Sequence, residues 1–458
     1  MNLPPILKTI AKELSAKSAK AILVGGSVRD YYLGLPSKDY DVEVFGLASV
    51  GELEALLYHY GNVNIVGKSF GVLKFGYEGE EYDFSFPRRE SKNGVGHKGF
   101  DIEVDGTMSF KDAAHRRDFT MNAMGYDIEA KSFLDPFGGV NDINNSSLKH
   151  VNSKSFVEDP LRVYRAIQFS ARFDVVLDVK TFELCREMVE SGMLENLAQE
   201  RVLEEFKKLL LKSPSPSLGF ELMHSLGVLK YFPELEAIMG VIQSPKWHPE
   251  GDVWVHTMMA VDAMVSLLGD DRRQNLIFMF AILCHDFGKA TTTIIDKDGR
   301  IRSTGHEKSG IEPTEKFLYR LTNEHDFIKK VLPLVEHHLK PSQLFNAKAK
   351  SPAIRRLATK VNIEELIVVA KADFLGRTTQ ESLLGIYEAG KWLLQKAKSL
   401  KVQNSSMDNL IQGRDLIALG MKPSPKFKEI LDEVYSLQLD GKITSFDEAI
   451  EYVKNKEL

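Results

Sequence analysis

The sequence predicts an α+β protein: an N-terminal α/β head followed by an all-α remainder. Residues 1 to about 150 alternate short apolar strands with helices and many turn residues. From about 151 the strand signals thin out and helical periodicity dominates, as in 160–173 and 199–211. The length, 458 residues, allows about three domains with cores of their own. The expected divisions are 1–150 for the head, 151–240 for a helical neck, 241–400 for a helical body and 401–458 for a helical tail. Proline punctuation at 213–216 marks a joint between two helical runs, and softer boundaries fall at 243–252 and 402–408.

Composition narrows the class. No run of eighteen apolar residues occurs, so no membrane span is expected. The N-terminal twenty residues are amphipathic and lack the apolar core and cleavage site of a secretory signal. Two cysteines, Cys185 and Cys284, lie far apart among apolar neighbours, which reads as core thiols in a cytoplasmic protein. The net charge of −5 counts against broad phosphate binding, yet basic residues cluster locally. Lys348, Lys350, Arg355, Arg356 and Lys360 form one cluster; Lys207, Lys208 and Lys212 form another. Solvated helix faces and contacts to a nucleic acid explain them equally well.

The head is organised around residues 21–46, AILVGGSVRDYYLGLPSKDYDVEVFG. An apolar strand breaks on Gly25-Gly26, Ser27 offers a helix start, and Arg29 and Asp30 fall in the first turns. A second apolar stretch begins with Asp39 and Asp41. Two residues apart on a strand means one face, so the two carboxylates point together, as a divalent cation requires. The glycine pair lets a phosphate approach the backbone, and a helix beginning there adds unpaired N–H donors. This strand–GG–helix–loop–strand arrangement with D-x-D resembles the catalytic strand pair of the nucleotidyltransferase superfamily. The wording GGSVRD…KDYD is similar to that of the class II tRNA nucleotidyltransferases, the CCA-adding enzymes and their poly(A) polymerase relatives.

Further motifs keep that family's order. Asp83 in EEYDFSF is either a third carboxylate or base of the same site, or a polar residue on a half-exposed strand. Residues 88–105 are glycine-rich, charged and aperiodic, which suits a loop beside an active site; the resemblance gives that loop a part in switching from CTP to ATP. HRRDFTMNA, from His115 to Ala123, resembles the family's R-R-D-F-T-hydrophobic-N-A motif, with Arg117 pairing with a triphosphate and Asp118 and Asn122 holding it. DPFGG, from Asp135, resembles the turn between head and neck. In EDPLRVYRAIQFSARF, Asp159, Arg162 and Arg165 recur at helical spacing on one face. A carboxylate accepts and a guanidinium donates, so together they match the Watson–Crick edges of C and A. Local spacing alone favours a capped helix with ion pairs; the match to E-D-P-x-R-x-x-R reverses this and implies base selection without a nucleic-acid template. Gln168 stands where the family usually has a further Arg. Residues 197–211 resemble the neck motif and read as an amphipathic scaffold. Residues 411–453 resemble the family's C-terminal tRNA-binding tail, with Ser424 in place of a usual glycine.

A second chemistry begins near Trp247. His256, His285-Asp286, His306, His337-His338 and Asp373 supply imidazoles and carboxylates suited to a divalent metal. The order H…HD…D resembles the HD phosphohydrolases. It implies metal ligation by His256, His285, Asp286 and Asp373, with His306 and His337 available to a second metal, and a phosphatase or 2′,3′-cyclic phosphodiesterase activity.

Taken together, the resemblance implies a tRNA nucleotidyltransferase adding C, C and A to tRNA 3′ ends from CTP and ATP. Asp39 and Asp41 would hold Mg2+, Gly25, Gly26, Arg29, Asp30 and Arg117 the phosphates, and Asp159, Arg162 and Arg165 the base. A CC-adding, A-adding or poly(A)-adding relative stays open, as does an HD phosphohydrolase whose head only binds nucleotide.

Overall fold

The computed structural model describes residues 1–37, 39–66, 72–92 and 100–457. The expected loop at 88–105 lies partly outside these, at 93–99. The chain divides into two compact units, residues 1–209 with 221–228, and residues 210–220 with 229–458. The prolines at 213–216 thus lie in a segment assigned to the second unit, between two stretches of the first.

In the first unit, helix Pro5–Ala16 buries Ile6, Leu7, Ile10 and Leu14 along one stripe. The strands are β1 Lys20–Val24, β2 Asp41–Phe45, β3 Asn62–Val66, β4 Val72–Tyr77, β5 Glu80–Ser85, β6 Arg88–Lys92, β7 Phe100–Val104, β8 Gly125–Asp127 and β9 Ser132–Leu134. Seven of them form one sheet in the order β3-β4-β5-β2-β1-β8-β9, and β6 and β7 pair separately. Ala21, Ile22, Leu23 and Val24 are all buried, which explains why β1 is apolar throughout rather than alternating. β1 runs antiparallel to β2 with Val24 opposite Asp41, and β2 runs parallel to β5 with Asp41 opposite Asp83. The D-x-D pair and Asp83 are therefore brought to one end of two neighbouring strands.

Helix Gly26–Tyr32 starts one residue before Ser27 and is preceded by Gly25, whose φ of 70° and ψ of −131° suit glycine. The helical half of this unit is led by Leu161–Phe173, Val179–Glu190 and the start of Gln199–Lys212. Phe119 meets Phe156 and, from the first of these helices, Phe169 edge to face.

The second unit is helical. Val253–Val265, Arg272–Cys284, His325–His337 and Ile363–Leu375 surround an apolar centre that includes Val261, Phe280, Ile282, Val335 and Val369, all fully buried. The C-terminal helices Lys426–Asp440 and Phe446–Glu457 build a smaller core from Leu416, Ile430, Val434, Ile443, Ala449 and Val453. Two of the clustered cations face this tail: Arg356 pairs with Asp440 at 2.6 Å, and Arg355 donates to the Leu439 carbonyl. In the first unit, Lys207 and Lys208 pair with Glu204 and Glu205. Both cysteines are free and buried. Among the described residues no helix is long and apolar enough to cross a membrane.

Candidate active site and candidate metal centre

The first site lies where β1 hands over to its helix. A Cβ placed on Gly25 would stand 3.5 Å from Arg117 Nη1 and 3.6 Å from Asp41 Oδ2. Bare backbone, a carboxylate and a guanidinium thus meet at one point. Asp41 opens β2 and Asp39 precedes it, both reachable by solvent. Atoms packed about the Asp41 carboxyl raise its pKa, Asp83 and Asp39 raise it further, and Arg117 and Lys74 oppose them. Mutual repulsion of this kind among three carboxylates is what a divalent cation relieves. Glu43, two residues on and on the same strand face as Asp41, is 1 % exposed and lies 3.7 Å from Arg117 and 3.4 Å from Arg116.

Behind this edge runs a buried polar chain. Arg29 donates from Nε and Nη2 to Asp30 and from Nη1 to Asn122 Oδ1 at 2.8 Å, with its guanidinium 4.6 Å over the Phe173 ring. Asn122 Nδ2 donates to Asp118 Oδ1, and Asp118 Oδ2 accepts from Arg165 Nε and Nη2 at 2.7 and 2.6 Å. Burial alone would raise the Asp118 pKa; Arg165, Asn122 and the Phe119 N–H reverse this and hold it below the ordinary value. Arg29 and Asp30, expected at the phosphates, are thereby placed as a buried brace. A brace of this kind fixes Arg165 and the 117–122 turn.

Beside it lies a cavity of about 290 Å3 lined by five arginines, Arg116, Arg117, Arg162, Arg165 and Arg201, with Asp118, Asp159 and Leu161. Asp159, Arg162 and Arg165 do come together here, as expected. Their present partners differ from a base edge: Asp159 holds Arg201 through both oxygens at 2.9 and 3.2 Å, and Arg162 donates to the Ser155 and Arg116 carbonyls at 2.7 Å each. Arg201 was missed from sequence, where 197–211 reads only as scaffold. Gln168, on the same helix as Arg165, is 1 % exposed, and neither atom of its amide has a partner among the described residues.

The second site is in the helical unit. His256 comes from helix Val253–Val265, His285 and Asp286 from the end of Arg272–Cys284, and Asp373 from Ile363–Leu375. His306 opens a short helix and His338 follows His325–His337. Their ligand atoms fall into two groups, His256–His285–Asp373 and Asp286–His306–His338. Gly288 lets the segments close: a Cβ there would lie 2.0 Å from the His306 carbonyl oxygen.

Each ring is held at Nδ1. His285 donates to the Ile282 carbonyl, His306 to Ser303 and His338 to Val335, all at 2.7 Å, while His256 donates to Glu250 at 2.8 Å. The Nε2 atoms therefore turn inward, His256 to His285 at 3.3 Å and His306 to His338 at 3.4 Å. Between two such facing lone pairs a proton or a cation has to lie. Asp286 faces His285 and His306 at 3.2 Å and Lys289 at 2.6 Å, yet neither carboxylate oxygen receives a well-aligned hydrogen bond. Burial opposes ionisation of Asp286 and Asp373, but His285 and Lys289 around the first and Arg377 and His256 around the second hold both well below the carboxylate range. Burial, then the neighbouring His285 and His306, push the His338 pKa down to about 3, leaving a neutral imidazole. Inward-facing imidazoles and ionised carboxylates fit a divalent metal, or two.

One expected ligand is corrected. His337 is not among the grouped ligands and its buried Nδ1 has no partner among the described residues, whereas His338 takes the position assigned to it. Adjacent helical residues diverge by about 100°, so only one of the pair can face the cluster. The segment 243–252, expected as a soft boundary, instead supplies Gln243, Trp247, His248 and Glu250 to the surroundings of this site. Glu250 Oε1 accepts from His248 and His256, and Oε2 from the Thr378 N–H.

Three family models match the chain: the Poly A polymerase head domain over residues 21–149, the probable RNA and SrmB-binding site of polymerase A over 175–239, and the HD domain over 222–377. The Multifunctional CCA protein of Xanthomonas campestris pv. campestris is 34 % identical over 423 residues, covering 90 % of this chain and 96 % of that protein. That of Mannheimia succiniciproducens is 36 % identical over 367 residues, covering 78 % and 84 %. Among solved structures, the Bacillus stearothermophilus CCA-adding enzyme in complex with CTP superposes with a TM-score of 0.68 at 20 % identity, covering 99 % of each chain. The Thermotoga maritima CCA-adding enzyme complexed with tRNA does so with a TM-score of 0.60 at 21 % identity, covering 99 % and 96 %. At those identities the likeness shows the fold.

Proposed function

The chain belongs to the multifunctional CCA protein family, and from that membership we propose that it is a tRNA nucleotidyltransferase completing tRNA 3′ ends with C, C and A from CTP and ATP. The observation that carries this reading is the meeting of the Gly25 backbone, Asp41 and Arg117 at one point, next to a cavity lined by five arginines. Asp39 and Asp41 would hold divalent cations, taken here as Mg2+, whose chemistry is to acidify the tRNA 3′-hydroxyl and neutralise the triphosphate as pyrophosphate leaves. Arg117 and the N–H groups following Gly25 and Gly26 bind the phosphates. Asp159 and Arg162 read the base edge once the nucleotide takes over their present partners, and Arg165 is kept in register by Asp118. The compartment is the cytoplasm, whose reducing poise suits two free buried thiols.

The test uses full-length protein with three tRNA transcripts, ending before CCA, after C and after CC, each with Mg2+ and CTP, ATP or both. Extension of all three to CCA, lost by about a thousandfold in Asp41→Asn, is the expected result. Arrest after CC, action only on the CC end, or long A tails would each reassign the chain to a partial or poly(A)-adding relative. Undiminished incorporation by Asp41→Asn would remove the catalytic assignment.

A second reading is favoured by the inward Nε2 atoms: the helical unit is a metal-dependent phosphohydrolase, with His256, His285, Asp286, His306, His338 and Asp373 as ligands. Lys289, 2.6 Å from Asp286, is placed to pair with a phosphate. His285→Ala should abolish hydrolysis of 2′,3′-cyclic nucleotides and spare incorporation; retained hydrolysis would sink this reading.

A further inference from the structure

Glu43 is an acidic residue set into an apolar sheet face. It stands opposite Ile22 of β1, and Phe45 follows two residues on. Ile22 and Phe45 belong to an apolar cluster that takes in Ala113 and Phe110 of helix Phe110–Ala114. An apolar side chain at 43 would extend that cluster, whereas a carboxylate 1 % exposed there loses its hydration. What the carboxylate meets is the pair of arginines that follows the helix. Oε1 accepts from Arg116 Nη2 at 3.4 Å. Oε2 lies 3.7 Å from Arg117 Nη2 and has no hydrogen bond among the described residues. The two arginine side chains keep 30 and 20 % exposure, so solvent still reaches both and neither depends on Glu43 for its hydration.

What the arginines gain is direction. With Nη2 toward Glu43, Arg117 turns Nη1 to the Asn122 carbonyl at 3.4 Å and to Gly25, where an added Cβ would stand 3.5 Å away. Arg116, held by the same carboxylate, offers its carbonyl to Arg162 Nη2 at 2.7 Å. We infer that Glu43 is a positioning residue for nucleotide binding: it presets Arg117 for the triphosphate and, through Arg116, Arg162 for the base. The inference rests on the transferase reading of this site. Asp39, Asp41 and Glu43 recur at strand spacing, which would also suit a third metal ligand. Burial beside Ile22 and Phe45 sets Glu43 behind the two solvent-reached aspartates, and arginines face both of its oxygens. Fixing a guanidinium in advance removes part of the ordering that nucleotide binding would otherwise require.

The experiment compares full-length wild type, Glu43→Val and Glu43→Gln in saturating Mg2+. CTP is titrated on the transcript ending before CCA, and ATP on the one ending after CC. The expected result for Glu43→Val is a rise of about tenfold in KM for both nucleotides, with kcat changed by less than about threefold. Glu43→Gln should fall between, because its one carbonyl oxygen still serves one arginine. Tm of Glu43→Val should stay within a few degrees of wild type, since Val suits the apolar strand face. Unchanged KM with a lowered Tm would overturn the inference and make Glu43 a purely structural residue. A fall in kcat with a raised Mg2+ requirement would overturn it in favour of a metal ligand. Should wild type extend neither transcript, the transferase reading fails on its own, and equilibrium binding of CTP and ATP decides the role of Glu43. Binding about tenfold weaker in Glu43→Val would uphold it; equal affinity, or no binding by wild type, would overturn it.

Discussion

Glu250 is the residue on which the metal centre's geometry turns, and its replacement has a calculable consequence. The carboxylate is 1 % exposed and accepts three hydrogen bonds, from His256 Nδ1 at 2.8 Å, His248 Nδ1 at 2.9 Å and the Thr378 N–H at 3.1 Å. The first of these keeps the His256 proton on Nδ1 and so leaves Nε2 to the cluster. Glu250→Gln can satisfy only part of this. With its carbonyl toward the two histidines, its NH2 meets the Thr378 N–H, donor against donor. Turned round, its NH2 faces Nδ1 of His256, which must then accept and carry its proton on Nε2, where the metal binds. Either state is penalised, and one is incompetent. Glu250→Ala removes the acceptor altogether.

Loss of an outer carboxylate from a metal-bound histidine typically costs 10–100-fold in affinity, about 1.4–2.8 kcal/mol. With two orientations open to Gln, about tenfold is expected for Glu250→Gln and toward a hundredfold for Glu250→Ala. The alanine variant also leaves the Thr378 N–H and His248 without their acceptor, so its unfolding free energy should drop by about 1–3 kcal/mol. The assay is a Co2+ titration of full-length protein, followed by the visible absorption of nitrogen-ligated Co2+, with His285→Ala as the reference for cobalt bound elsewhere. Wild-type affinity in a folded Glu250→Ala protein would refute the reasoning, because it would mean that His256 is oriented without the carboxylate.

Two other outcomes follow from the first unit. Asp118 has its pKa depressed on folding, so its pairing with Arg165 stabilises fully above the ordinary carboxyl value of 3.8 and is lost as pH falls through the depressed one. Asp118→Asn should therefore be less stable than wild type at pH 7, by about 1–3 kcal/mol, and the gap should close as pH falls below 4; a gap of constant size down to pH 3 would contradict the assignment. Gln168 buries an amide with no partner for either atom among the described residues, at a cost of about 1–3 kcal/mol. Gln168→Met, of similar volume, should raise Tm by a few degrees, and a lowered Tm in a thermal melt would show that the amide is paired after all.

What the sequence made legible is chemistry set by local spacing. Asp41 could be read as the head of an apolar strand with Asp39 two residues before it, and Gly25 could be read as an approach point because it follows an apolar strand. The same rule, carried one step further, reaches Glu43, whose place in the series Asp39, Asp41, Glu43 was there to be seen. His285 and Asp286 were legible as an adjacent pair. The choice between His337 and His338 was not, because it depends on the rotation of a helix about its axis. Arg201 offers no local mark at all: it is a cation on an amphipathic helix, and only folding sets it 2.9 Å from Asp159, forty-two positions earlier.

Arg201 and Glu250 share a property that explains why they were hidden. Each acts by fixing a residue that the sequence did reveal, Arg201 the carboxylate of Asp159 and Glu250 the imidazole of His256. Asp39 with Asp41 and His285 with Asp286 sit near one another along the chain, so their spacing is written into motifs. An orienting group needs only to arrive at one atom from any direction, and a distant helix or a connecting segment can supply it. The segment 243–252 illustrates the point. Its Pro, Gly and polar residues read as a boundary, yet the irregular backbone they allow is what carries Glu250 to Nδ1 of His256 while leaving the indole of Trp247 exposed beside the cluster.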